Sequence, residues 1–145
     1  MVTRLPDKAT ILAACRGFPF DGTHPMLIAA VELARVHETR ENAPACEIHD
    51  LDWQRMRLIQ RIDLFVSVAA PAPSPTARLH THTMGQVIDQ IAQLVVSAYI
   101  ALAAAPETLY VDSSARLAES GEAYGDLVEE LSLGIRQLPG TISML

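Results

Sequence analysis

The sequence predicts an all-α protein: an antiparallel bundle of four main helices preceded by a short N-terminal helix. In four long segments, apolar residues recur every three to four positions, which is the spacing of a helix with one buried face. Alternating patterns of β-branched residues are scarce, so no sheet is expected. The 145 residues suit a single domain. We divide it into an N-terminal helix and loop (1–24), the bundle (25–138) and a tail (139–145).

The first two helices are delimited by prolines. Pro6 precedes a short helix over residues 7–15, which ends before the turn-rich segment FPFDGTHP. Pro25 suits a first helical position, and residues 26–41 continue the second helix at helical spacing. The segment from Asn42 to Pro44 ends it.

The third helix is expected to begin at Asp50 or Asp52, either of which can cap it. Its predicted buried face consists of six apolar residues: Trp53, Met56, Ile59, Ile62, Phe65 and Val66. The following segment AAPAPSPTA, residues 69–77, contains three prolines and is the clearest loop in the chain.

The fourth helix begins after Thr83, because Thr83 and Gln86 fit a capping box. Its apolar stripe covers much of the circumference, which predicts burial on two sides, as in a central helix or a dimer interface. The last helix is expected to begin near Ser113 or Ser114 and to end before the Leu-Pro-Gly segment at 138–140.

The composition excludes several classes of protein. Half of the residues are hydrophobic and 19% are charged, which excludes global disorder. The formal net charge of −6 argues against a dedicated nucleic-acid-binding protein, which needs a basic face. No secretory signal is recognised, and the longest apolar run, residues 94–105, is shorter than the roughly 20 residues that span a bilayer. We therefore expect a cytoplasmic protein without a membrane segment, whose Cys15 and Cys46 are free thiols.

The stretch LHTHTMGQVIDQIA, residues 79–92, resembles a bacterial family called domain of unknown function 4254. Members of that family carry Leu-His-Thr-Glu-Thr, then a small turn, then Ile-Asp-Arg-Leu at the start of a helix. HETR at 37–40 and RLIQRID at 57–63 resemble two further stretches of the family. His82 stands where many members have Glu, and Gln90 where many have Arg. The resemblance implies an all-α cytoplasmic protein and supplies no established activity.

The first candidate catalytic set is His80, His82 and Asp89. If the fourth helix includes His82, spacings of four, three and four place four polar residues on one face: His82, Gln86, Asp89 and Gln93. In a polar pocket, a histidine would act as acid or base and Asp89 would orient it. The alternative is structural: a neighbouring threonine caps the helix, the histidines lie at its exposed start, and Asp89 pairs with an arginine.

The second candidate set would bind an anion. It contains the three arginines of the third helix, Arg55, Arg57 and Arg61. Arg57 and Arg61 are four residues apart, hence neighbours on one helix face, and guanidinium groups suit phosphate or carboxylate. Asp63 follows on the same segment, and His37 with Glu38 on another helix completes this predicted ligand-binding set. The alternative is a solvated face whose arginines pair with nearby acidic residues.

Two hypotheses of function follow from these patterns. The first is assembly, as a homodimer or an accessory subunit, because the fourth helix is apolar on two sides and no complete catalytic motif occurs. The second is a small-molecule enzyme that uses the His/Asp/Arg residues for acid/base chemistry on an anionic, phosphate- or sugar-nucleotide-like substrate. No cofactor is expected, and no metal, since His-x-His supplies two ligands where zinc usually has three or four. The sequence favours assembly and leaves open whether the protein is an enzyme.

Overall fold

The computed structural model describes residues 4–104 and 107–140, and these form five α-helices and two very short strands. The helices are α1 (Lys8–Cys15), α2 (Pro25–Glu41), α3 (Ala45–Ala69), α4 (Met84–Ala103) and α5 (Glu107–Ser132). The strands β1 (Arg78–Leu79) and β2 (Arg136–Gln137) pair in parallel. The all-α prediction is confirmed, and this small sheet is an addition to it. The predicted tail beyond residue 140 and the last residue of the apolar run 94–105 lie outside the described residues.

The predicted starts of α1 and α2 agree with the structure to within one residue. Asp7 caps α1, where its carboxylate accepts a hydrogen bond from the Thr10 backbone N–H at 2.8 Å. The hydrogen bonds with Thr10 lower the pKa of Asp7 below its usual value. At α2, Pro25 occupies the first helical position, and the His24 ring caps the next backbone N–H.

Helix α3 begins earlier than predicted, and part of its predicted buried face is wrong. The helix begins at Ala45 directly after Pro44, so Asp50 and Asp52 lie within it and do not cap it. Its buried residues are Leu51, Leu58, Ile62 and Val66, whereas Trp53 and Met56 are exposed. Nine residues separate Trp53 from Ile62, which is about two and a half helical turns, so these two side chains point in opposite directions.

Helix α4 is the central helix of the fold. It begins with the predicted capping box: the Thr83 hydroxyl accepts from the Gln86 N–H at 3.2 Å, and the Gln86 side chain accepts from the Thr83 N–H at 2.9 Å. It packs against α1, α2, α3 and α5, which accounts for its apolar breadth. By length and composition alone α4 could cross a membrane, but 44% of that window is buried inside the protein.

Helices α3 and α4 lie very close together at Gly85. A Cβ atom at this position would lie 2.4 Å from the backbone oxygen of Ile59, so no larger residue fits without moving a helix. The Gly85 N–H donates a hydrogen bond of 2.7 Å to the carboxylate of Asp63. This contact joins the middle of α3 to the first turn of α4.

Helix α5 begins six residues earlier than predicted, at Glu107, so Ser113 and Ser114 lie inside it. The Ser-Ser pair is a typical capping signal, but here both residues continue a helix that packs on α4 and α1. The fully buried Tyr124 fixes α5 to the N-terminal segment, because its hydroxyl donates to the Pro6 carbonyl oxygen at 2.7 Å.

Candidate functional site

A buried carboxylate, Asp89 of α4, joins three helices. Arg55 of α3 binds it with two nitrogens: Nε lies 3.2 Å from Oδ1, and a terminal guanidinium nitrogen lies 2.7 Å from Oδ2. His37 of α2 approaches from another side, with its Nε2 2.8 Å from Oδ1. Asp89 is 7% exposed and His37 is 5% exposed, so this contact is inside the protein. Asp89 therefore holds α2, α3 and α4 together through charged hydrogen bonds.

The same set of ion pairs continues to the surface. A second guanidinium nitrogen of Arg55 donates to Asp52 Oδ1 at 3.0 Å, and Asp52 also accepts from Arg40 Nε at 3.0 Å. Asp52 and Arg40 are both partly open to solvent. We call these five residues the ion-pair network: His37, Asp89, Arg55, Asp52 and Arg40.

The network keeps its two carboxyl groups ionised. Burial raises the pKa of Asp89, but hydrogen bonds from His37 and Arg55 and their nearby charges outweigh this effect, so the pKa lies below its usual value. Hydrogen bonds from Arg40 and Arg55 likewise lower the pKa of Asp52. At neutral pH the two carboxylates therefore face two guanidinium groups, and their charges balance.

His37 also lines a small polar cleft. The cleft has a volume of about 210 Å³, and its other lining residues are Arg40, Glu41, Gln93 and Val96. A buried carboxylate on Nε2 holds the imidazole in one orientation, as it does in sites where histidine transfers protons. The volume is below the roughly 300 to 1,000 Å³ of typical ligand pockets, so only a small molecule fits.

The predicted catalytic residues are divided between two places. Asp89 is in the network, whereas His80 and His82 lie in the loop before α4 and contact each other. The His80 Nδ1 lies 2.9 Å from the His82 backbone oxygen, and the His82 Nδ1 lies 2.9 Å from the Thr81 hydroxyl. Helix α4 begins at Met84, so His82 does not belong to the predicted helical face. No hydrogen bond between these described histidines and Asp89 is found.

The predicted ligand-binding residues are also separated. His37 contacts Asp89, and Asp63 accepts from the first turn of α4. Arg57 and Arg61 are exposed on α3, and neither forms an ion pair with the described residues. Glu38 is exposed on α2, next to His37 but directed away from the interior.

The pairing of Asp89 with an arginine was the structural alternative in the sequence, but Arg55 was predicted to bind an anion and was not joined to Asp89, although its position contained a signal. Arg55 lies four residues after Leu51 and three before Leu58, hence on the buried face of α3. A charged residue at core spacing predicts a buried partner of opposite charge. Asp89, equally anomalous on the apolar α4, is that partner.

In the part of the chain that the structure describes, we find neither a reactive cysteine nor a cluster of metal-binding side chains. Burial raises the pKa of the Cys15 thiol to about 12, so it is protonated at neutral pH, and Cys46 is exposed. Both thiols are free, as expected. Among residues 4–104 and 107–140, no group of three His, Cys, Asp or Glu side chains could hold a metal ion.

A further apolar groove lies between the end of α4 and the start of α5. Its volume is about 520 Å³, and its lining includes the exposed aromatic residues Phe18, Tyr99 and Tyr110. Arg16 and Glu38 also line it, so the groove combines apolar side chains with one charge of each sign.

No protein-family model matches the chain, and searches of curated proteins and of solved structures find no match either. The residues and geometry of this chain are therefore the basis for its proposed function.

Proposed function

We propose that this protein acts through homo-oligomeric assembly, as a dimer or as an accessory binding subunit. One observation carries the proposal: α3 presents a row of large apolar side chains to solvent. Trp53, Met56, Leu64 and Val68 are exposed by 58%, 52%, 69% and 82%. We call this row the outer face of α3.

The outer face lies opposite the core face of the same helix. Its members are separated by three, eight and four residues, so they lie in a stripe about 120° wide and roughly 22 Å long, with the exposed Arg57 and Gln60 between Met56 and Leu64. A surface helix normally carries polar residues opposite its buried stripe. Several large apolar side chains exposed on one face of a helix mark a contact with another molecule.

The ion-pair network supports this function because it fixes the rotation of α3 about its axis. Arg55 must face Asp89 to keep its two hydrogen bonds, and this orientation turns Trp53 and Met56 outwards. A bidentate arginine–carboxylate pair is directional, so the helix cannot roll without breaking it. The network thus has a structural role that agrees with assembly.

We extend the proposal to the arrangement and setting of the chain. The four long helices α2 to α5 would run antiparallel to their neighbours as one bundle, and the protein would act in the cytoplasm of a bacterium. The resemblance of residues 79–92 to the domain of unknown function 4254 supports the bacterial setting. The short connections between α2 and α3 and between α4 and α5 support the antiparallel order of these two pairs.

Molar mass in solution tests the assembly. For the chain of 15.8 kDa, light scattering after size-exclusion chromatography should give twice that mass. Leu64→Glu should give the monomer, while Leu133→Glu, which alters a similarly exposed leucine elsewhere, should leave the dimer intact. A wild-type protein that stays monomeric at its highest soluble concentration would refute the proposal.

Fluorescence of the single tryptophan gives an independent readout, since Trp53 lies in the outer face. Acrylamide should quench it weakly at high protein concentration and strongly after dilution. Quenching that is independent of concentration would contradict the proposed contact.

A second candidate function is acid/base chemistry at His37, favoured by its buried contact with Asp89 beside a polar cleft. Arg40 at that cleft would bind the charge of a small anionic substrate. A thermal-shift screen of phosphates, sugar phosphates and nucleotides tests it, with His37→Gln and, as a control on the same helix, Arg35→Gln. At a hundred times its dissociation constant, a ligand adds about 2.7 kcal/mol of stability. A shift that His37→Gln abolishes and Arg35→Gln keeps would support the site, and a flat screen would count against it.

A further inference from the structure

We infer that two copies of the chain pair antiparallel through the outer face of α3, with Asp50 of each copy against Arg61 of the other. This inference rests on the proposed function, because it names the occupant of the outer face and the register in which it binds. It follows from charges that flank the apolar row.

Three unpaired charges lie on one flank of the outer face. Asp50 precedes Trp53 by three residues, Arg57 follows Trp53 by four, and Arg61 follows Arg57 by four, so all three lie on the same side of Trp53 and Leu64. All three are exposed, and none forms an ion pair with any of the described residues. The acidic group is nearer the N-terminus of α3 and the basic groups are nearer its centre.

This order of charges selects the direction of pairing. In an antiparallel pair with twofold symmetry, equivalent flanks of the two helices meet, and the acidic end of each flank reaches the basic part of the other. In a parallel pair this flank would meet the opposite flank, whose acidic residues, Asp52 and Asp63, already accept hydrogen bonds within their own chain. The antiparallel arrangement instead gives both Asp50 and Arg61 a partner of opposite charge that forms no other ion pair with the described residues.

The charge pair also sets the register. Placing Asp50 opposite Arg61 puts the twofold axis halfway between them, beside Met56, which then meets its own copy. Trp53 comes opposite the segment that contains Arg57 of the second copy, where a guanidinium group can stack on the indole ring. Leu64 is covered by the first turn of the second α3, while Val68 lies beyond its N-terminus.

Reversal of the charges tests the pairing. Asp50→Arg or Arg61→Asp alone should raise the dimer dissociation constant about 10-fold, because each reversal creates two like-charge contacts per dimer. Combining both changes in one chain should restore the wild-type value. Arg35→Asp on α2 changes the net charge by the same amount away from this face and should have no effect. Unchanged dissociation constants in both single variants would overturn the register.

Cross-linking of single cysteines tests the direction of pairing. In a Cys46→Ser background, Met56→Cys should be joined between copies by a short bismaleimide, because the two positions meet at the axis. Val68→Cys should not be joined, since the antiparallel register separates its two copies by roughly 37 Å. Equal cross-linking at both positions would indicate parallel pairing and overturn the inference.

These outcomes separate the inference from the proposed function. A wild-type dimer that cross-links at Val68→Cys or ignores both charge reversals would refute the register and keep the assembly. A wild-type monomer would refute both the register and the homo-oligomeric assembly, and it would mean that a different protein binds the outer face of α3.

Discussion

Removal of the buried carboxylate by Asp89→Ala should lower the free energy of unfolding by about 3 kcal/mol. The carboxylate accepts three hydrogen bonds, two from Arg55 and one from His37. The alanine variant leaves the guanidinium group and the imidazole facing a small cavity, with no partner at that position. The loss therefore includes the cost of an uncompensated buried charge.

The size of the expected loss in stability follows from the burial of Asp89 and of Arg55. Removing one member of a buried ion pair costs about 3 to 5 kcal/mol. The Arg55 side chain is 25% exposed and keeps its contact with Asp52, so the lower end of that range applies. Asp52→Ala is the matched control, because Asp52 also accepts from Arg55 but lies at the surface, where ion pairs contribute little. Asp52→Ala should therefore lower the free energy of unfolding much less than Asp89→Ala.

Urea denaturation followed by circular dichroism measures both variants. Protein concentration must be equal in all samples, because self-association stabilises the folded state by mass action. If Asp52→Ala destabilises as much as Asp89→Ala, or if Asp89→Ala costs less than about 1 kcal/mol, the buried part of the network does not hold the three helices together.

Three further predictions concern α4 and its neighbours. Gly85→Ala should cost about 1 to 3 kcal/mol, because its Cβ would meet the Ile59 carbonyl oxygen. Gly125→Ala, whose Cβ would meet its nearest neighbour at 3.9 Å, should instead stabilise the protein by up to about 1 kcal/mol. If the two alanine variants shift the melting temperature in the same direction, the packing described at Gly85 is wrong. Thr83→Ala should cost about 1 kcal/mol through loss of the capping box, and an unchanged urea midpoint would show that the cap contributes nothing. The lowered pKa of Asp89 means that its stabilisation is fully present above its unfolded pKa of about 3.9 and is lost as the pH falls through the folded pKa. Stability should therefore fall less steeply in acid for Asp89→Asn than for the wild type, and identical pH profiles would refute this.

Local signals in the sequence predicted the elements whose causes are local. The helical spacing of apolar residues located α2 and α4, and Thr83 with Gln86 marked the start of α4 to the residue. The small sheet was not predictable in this way, because β1 and β2 have two residues each and are far apart in the chain. A strand this short has no periodicity to detect.

The candidate site was predicted in pieces. Asp89 was predicted as a polar residue on an apolar helix and His37 as part of the ligand-binding set, but the spacing within one helix could not show that they meet across 52 residues. The prediction instead paired Asp89 with His80 and His82, which are its neighbours in sequence. Which arginine reaches Asp89 depends on how α3 packs against α4, and this is a property of the assembled bundle.

The error on α3 shows what decides the orientation of a helix with two apolar stripes. Burying Trp53 and Met56 would remove more apolar surface from water than burying Leu51 and Leu58, so hydrophobicity alone favours the wrong face. That orientation would turn Arg55 to solvent and leave the buried Asp89 with His37 as its one remaining partner among the described residues, at a cost of several kcal/mol. It would also turn Asp63 away from Gly85, whose backbone N–H donates a hydrogen bond to it, at the close contact between α3 and α4. The buried charge and the glycine contact therefore fix α3, and the apolar stripe left outside becomes the surface available for assembly.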